Sequence, residues 1–143
     1  MTEWDLDFVG RIILLGRCLQ HLGYSFFQSA GTTSSQSGVL MYLALNESKD
    51  VYNKDIEKAF QIRPSSVTGL LERLERQDYI FRVPSVEDAR LKSIKLTEKG
   101  RAIMHEVLEA RQKLLTQLKG DIPDEDIRKF IAICDEMIHH AKG

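Results

Sequence analysis

Three groups of side chains have types and spacings that could do chemistry. The first is Ser65-Ser66-x-Thr68-Gly69, with Arg73 and Arg76 one and two turns further along. Hydroxyls beside a glycine suit hydrogen bonds to base edges, because small residues let a backbone come close, and arginines further along suit phosphates. The second is Arg82 followed by Glu87-Asp88-x-Arg90. An aspartate two residues before an arginine can hold the guanidinium extended in a charge-assisted pair, aimed at a narrow, electronegative minor groove. The third is His21, His105 and Glu109, with Cys18 and Cys134 apart from them. No HxxxH, CxxC or Cys-His spacing joins these, so they read as ordinary histidines and inert thiols, with no metal and no cofactor implied. Ser65 and Ser66 have no positioned histidine in their motif, and the chain has no phosphate loop, nucleophile elbow or paired-carboxylate setting, so it reads as a non-enzyme.

These residues need elements to hold them. Val67, Leu70, Leu71 and Leu74 fall in one sector of a helix started by Pro64, which places Ser65, Gly69, Glu72 and Arg76 on the opposite face and Ser66, Thr68 and Arg73 on its shoulders. A shorter helix over Tyr52–Phe60, with Ile56, Ala59 and Phe60 inward, precedes it across Gln61-Ile62-Arg63, so the two form a helix-turn-helix. Tyr79–Val83 and Leu91–Leu96 read as strands around the loop that carries Asp88 and Arg90, with Ile94 and Leu96 on one side and Ser93 and Lys95 on the other.

Around this unit the pattern is helical. Phe8, Ile12, Leu15, Leu19, Leu22 and Phe26 make a broad stripe over Leu6–Phe27, and Thr33 with Gln36 makes a capping-box start for a helix through Asn46. Thr97 caps a long helix to Leu118, and Asp124-Glu125-Asp126 opens a last one, apolar at Ile127, Phe130, Ile131, Cys134 and Ile138. The three terminal helices carry more apolar surface than a unit of this size can cover, which predicts a homodimer.

The net charge of −1 hides an uneven distribution: residues 62–101 carry nine basic and six acidic side chains, whereas each flank is acidic by two. A local surplus of cations, not the overall balance, is the footprint of phosphate contact. No apolar run approaches the roughly 20 residues needed to cross a bilayer, and the acidic start is unlike a signal peptide, so no membrane and a cytoplasmic location are expected.

With Ser65-Ser66-Val67-Thr68-x-Leu70-Leu71-x-Arg73-Leu74-Glu75, Arg82, Glu87-Asp88-x-Arg90 and Leu96-Thr97-Glu98-Lys99-Gly100 in place, the chain resembles the MarR family of transcription regulators from about Thr33 to Leu118. The resemblance implies a mostly α (α+β) fold, a winged helix-turn-helix over 33–101, and helical dimerisation regions over 1–32 and 102–143. It implies a homodimer on double-stranded DNA at a pseudo-palindromic operator, usually a repressor, released by a small-molecule effector or an oxidant. Carried over by position, Ser65, Ser66, Thr68 and Gly69 fall where the family reads bases, Arg73 and Arg82 where it touches the backbone, and Asp88 with Arg90 at the wing tip. The family's effectors bind between the dimerisation helices and the DNA-binding lobe, where Trp4, Tyr24, Phe26, Phe27 and Tyr42 could line a pocket. Three positions depart from the pattern: Gly69 replaces a long polar side chain, Asp78 a glycine, and Ala89 an arginine. Gly69, Ala89 and the mild local charge leave an alternative, a winged-helix protein-interaction module with little DNA affinity.

Overall fold

The computed structural model describes residues 2–143, apart from the side chains of residues 3–6, so Trp4 lies outside the described side chains. Its elements run α1 (Glu3–Ser29), α2 (Ser34–Leu45), α3 (Asn53–Phe60), α4 (Pro64–Arg76), β1 (Ile80–Pro84), β2 (Lys92–Leu96), α5 (Glu98–Lys119) and α6 (Asp124–Lys142).

Helix α2 starts on the expected capping box: the Thr33 hydroxyl accepts the Gln36 N–H at 3.1 Å, and Gln36 Oε1 accepts the Thr33 N–H at 3.2 Å. It then runs through the centre of the unit and buries Val39, Leu40 and Leu43. Helix α4 has Pro64 in its first turn and buries Val67, Leu70, Leu71 and Leu74, the sector read from the sequence. In α3 only Ile56 is buried; Ala59 and Phe60, expected to face inward, are exposed. This two-turn helix packs chiefly against α4, so one inward position suffices, and Phe60 instead meets Tyr42 edge-on at 6.0 Å between ring centres.

Helix α4 ends in a Schellman turn. The Asp78 N–H donates to Glu75 O (2.9 Å) and the Tyr79 N–H to Leu74 O (3.0 Å), with Asp78 itself at φ +61° in the left-handed position that usually goes to glycine. The segment Leu96-Thr97-Glu98-Lys99-Gly100 locks this turn from the far side. Thr97 Oγ1 accepts the Gly100 N–H at 2.9 Å and donates to Asp78 O at 2.6 Å, while Lys99 Nζ donates to Gln77 O at 2.8 Å and lies 5.1 Å from the Tyr79 ring centre. The motif therefore holds the exit of α4.

Strands β1 and β2 pair antiparallel from Ile80 opposite Leu96 to Pro84 opposite Lys92. Ile94 and Leu96 are buried as expected, but Ser93 is buried too and Lys95 is half-buried. The reason is the segment 49–51, which covers the second face. The Ile94 N–H donates to Val51 O (2.8 Å), and Lys95 Nζ donates to Lys49 O (3.1 Å) and sits 3.5 Å from Asp50 Oδ1.

The core gathers α2, α4 and the sheet over Met104, Val107 and Ala110 of α5, with Phe27 entering from α1. Helix α6 buries no side chain. Phe8, Ile12 and Ile13 of α1, Leu115 of α5, and Phe130 and Ile131 of α6 are all about half exposed. A cleft of about 560 Å³ between these helices is lined by Leu15, Leu118, Ile127 and Phe130.

Candidate nucleic-acid interface

The outer face of α4 is open. Ser65, Ser66, Thr68, Arg73 and Arg76 are exposed and Gly69 is half-buried along the same side. Thr68 Oγ1 donates to Pro64 O at 3.0 Å, a bond back to the preceding turn, so its hydroxyl proton is engaged and its lone pairs are left. Toward a base edge Thr68 is then an acceptor, suited to the amino group of cytosine or adenine.

Gly69 is not demanded by the fold. A Cβ built there meets nothing nearer than Arg73 Nη2 at 3.9 Å, and its backbone is helical. Glycine inside a helix costs about 0.5–1 kcal/mol against alanine, and this cost is uncompensated within the protein. Gly69→Ala is expected to raise stability by about that amount and, with a methyl added to the open outer face of α4, to weaken operator binding. Thermal melting and anisotropy titration on one preparation check both, and unchanged affinity in a stabilised variant would show that the glycine is incidental.

On the wing, Arg90 and Asp88 form a two-pronged pair: Nε to Oδ1 and Nη2 to Oδ2, each at 3.0 Å, with the Arg90 N–H also donating to Oδ1 at 3.0 Å. The Arg90 side chain is 90% exposed and that of Asp88 34%. The Arg90 side chain and N–H hold the Asp88 carboxyl below the usual range, and Asp88 in turn raises the Arg90 guanidinium. The loop thus presents an extended, pre-oriented cation.

Arg82 has partners inside the fold. Its Nε is paired with Glu75 of α4 and its Nη1 lies 3.4 Å from Asn53 Oδ1 of α3, with the side chain only 25% exposed. It braces β1 against both helices of the helix-turn-helix.

Reasoning from the sequence missed the root of the wing. Ser85, 4% exposed, donates from Oγ to Asp50 Oδ2 (2.8 Å), lies 2.6 Å from the Tyr52 hydroxyl, and accepts the N–H groups of Glu87 (3.2 Å) and Asp88 (3.4 Å). The Ser85 hydroxyl, with help from nearby Ser93 and Lys95, keeps the Asp50 carboxyl below its ordinary range against partial desolvation. This cluster fixes the backbone just before Asp88 and so sets where Arg90 points. No sequence signal links Ser85 to Asp50, because their contact spans 35 positions.

The aromatic residues divide. Tyr24 lines an open cleft of about 430 Å³ with Gln20, Gln28, Thr32 and Ser34, where α1 meets the start of α2. Phe27 is sealed in the core at 2% exposure, and Phe26 of α1 and Tyr42 of α2 pack against that core. The cleft wall sets Gln20, Gln28, Thr32 and Ser34 beside Tyr24, and the buried Oγ1 of Thr32 has no hydrogen-bond partner among the described residues. His105 Nε2 and Glu109 Oε1 are 3.4 Å apart on the exposed side of α5, and His21 is exposed on α1. Cys18 is exposed and Cys134 half-exposed, each free.

A helix with an open, hydroxyl-bearing outer face beside a wing that holds out an arginine defines the winged helix-turn-helix class of DNA-binding proteins. Residues 30–91 match the MarR family. It is 26% identical over 128 residues to the HTH-type transcriptional regulator PapX of Escherichia coli, covering 90% of this chain and 78% of that protein. It is 28% identical over 115 residues to the HTH-type transcriptional repressor MdtR of Bacillus subtilis, covering 80% and 73%. The fold is shared with MepR of S. aureus in its crystal structure with DNA, at a TM-score of 0.83 and 22% identity over 99% of both chains.

Proposed function

We propose that two copies of this chain form a cytoplasmic transcriptional repressor that reads a pseudo-palindromic operator in duplex DNA and leaves it when a small molecule binds. Residues 33–101 read the duplex, with Ser65, Ser66, Thr68 and Gly69 at base edges, Arg73 and Arg76 at the backbone, and Arg90 in the minor groove. Residues 1–32 and 102–143 pair the copies. The observation that carries this reading is the Asp88–Arg90 fork, an exposed cation whose only partner among the described residues is the one that aims it. MepR in complex with DNA and MdtR as a repressor agree with it. The half-exposed apolar side chains of α1, α5 and α6 supply the dimer surface.

The effector enters the cleft beside Tyr24. From its wall a short chain of bonds reaches the reading helix: the Thr33 N–H donates to Gln36 Oε1, and Gln36 Nε2 donates to Gln77 Oε1 (3.1 Å) at the end of α4. Gln36 is 5% exposed, so a shift of the α2 start is passed on and not absorbed by solvent. Binding to sheared genomic fragments across a salt series tests the main reading. Fragment retention that falls with salt and selects a subset of sequences is expected. An absence of salt-sensitive binding even at low ionic strength would make the protein a winged-helix interaction module instead.

A further inference from the structure

Between α3 and the wing lies a groove of about 610 Å³, continuous with the surface that carries Arg90. Four cations line it: Lys54, Arg82, Arg90 and Lys92. Two are committed, Arg82 to Glu75 and Arg90 to Asp88. Lys54 at the start of α3 and Lys92 at the start of β2 are exposed and have no acidic partner among the described residues. Two carboxylates, Asp55 and Glu57, also face the groove. Asp55 is occupied, since its Oδ2 accepts the Tyr52 N–H at 2.8 Å, and Glu57 stands a turn deeper along α3. The first-turn N–H groups of Asn53 and Lys54 have no carbonyl within the helix to bond, so the mouth of the groove offers amide donors beside two free ammonium groups.

We propose that this groove seats the sugar–phosphate backbone of the duplex between the stretch read by α4 and the minor groove entered by Arg90, with Lys54 and Lys92 each neutralising one phosphate. The inference rests on the DNA-binding reading and adds a contact surface from outside α4 and the wing tip. Lysine suits the task as a mobile point charge, whereas the two arginines of the groove are already fixed by carboxylates. The contact is blind to sequence, because phosphates carry none, so it sets affinity and register and leaves base preference to α4.

Full-length protein titrated by fluorescence anisotropy against a labelled random-sequence duplex, over a range of potassium chloride concentrations, tests this. Lys54→Gln and Lys92→Gln are each expected to flatten the slope of log K against log salt by about 0.9 for every phosphate no longer neutralised. Lys54→Arg and Lys92→Arg should keep the slope, and Lys129→Gln, on α6, should leave it unchanged. A wild-type slope retained in the Lys54→Gln, Lys92→Gln double variant would overturn the groove assignment while leaving the DNA-binding reading intact. A wild-type protein with no salt-dependent binding would overturn both.

Discussion

Alanine at position 100 is expected to cost about 3 kcal/mol or more of folding stability, roughly 10 °C in Tm, although it adds a single methyl group to a helix. A Cβ at Gly100 would overlap the Tyr79 carbonyl oxygen outright and stand 3.1 Å from its carbon and 3.2 Å from Leu96 Cδ2. Nothing flexible can yield. Tyr79 O accepts the Thr97 N–H at 3.1 Å, and Tyr79 N is bonded back to Leu74 O, so the carbonyl belongs to the turn that ends α4. Moving α5 outward would break the Thr97 bond to Asp78 O and the Lys99 bond to Gln77 O together. Helix propensity alone would favour the substitution by about 1 kcal/mol, so its predicted sign is set by the clash. Thermal melting of the purified variant checks it, and a Tm within a degree or two of the parent would show that α5 does not approach β1 this closely. The contrast with Gly69→Ala is the sharper test: the same substitution in two helices is predicted to have opposite signs.

Arg90→Ala is expected to lower operator affinity about 30-fold or more, from at least roughly 1 kcal/mol in each of two wings, with no measurable change in Tm. An ion pair with one partner 90% exposed adds little to folding, so the loss falls on binding. Asp88→Ala separates two roles for the aspartate. If it served only to repel DNA, its removal would tighten binding. As the group that holds Nε and Nη2 at 3.0 Å each, its loss should free the guanidinium and weaken binding by a smaller factor than Arg90→Ala. Operator titrations of both variants at one fixed salt concentration decide the matter. Unchanged affinity in Arg90→Ala would remove the wing from the interface.

Much of this protein is written in local sequence, and the reason is range. The capping box of Thr33 and Gln36, the Pro64 start, the buried sector of α4 and the Asp88–Arg90 fork all depend on residues within two helical turns of one another, where helix period and side-chain reach decide the outcome. The family motif was legible for the same reason, although only the fold shows that its last five residues lock the exit of α4. What the sequence left open concerns contacts made across the fold. Arg82 looks like any basic strand residue until Glu75 and Asn53 close on it. Ser93 looks solvent-facing until segment 49–51 covers it, and Ser85 looks like a loop hydroxyl until Asp50 arrives from 35 positions away. Phe27 and Tyr24 share a helix three residues apart, yet one fills the core and the other lines a cleft. Sequence by itself determined which side chains could read DNA; only the tertiary structure decided which cations remain free to touch it, because a charge is committed or released by partners that local spacing does not bring near.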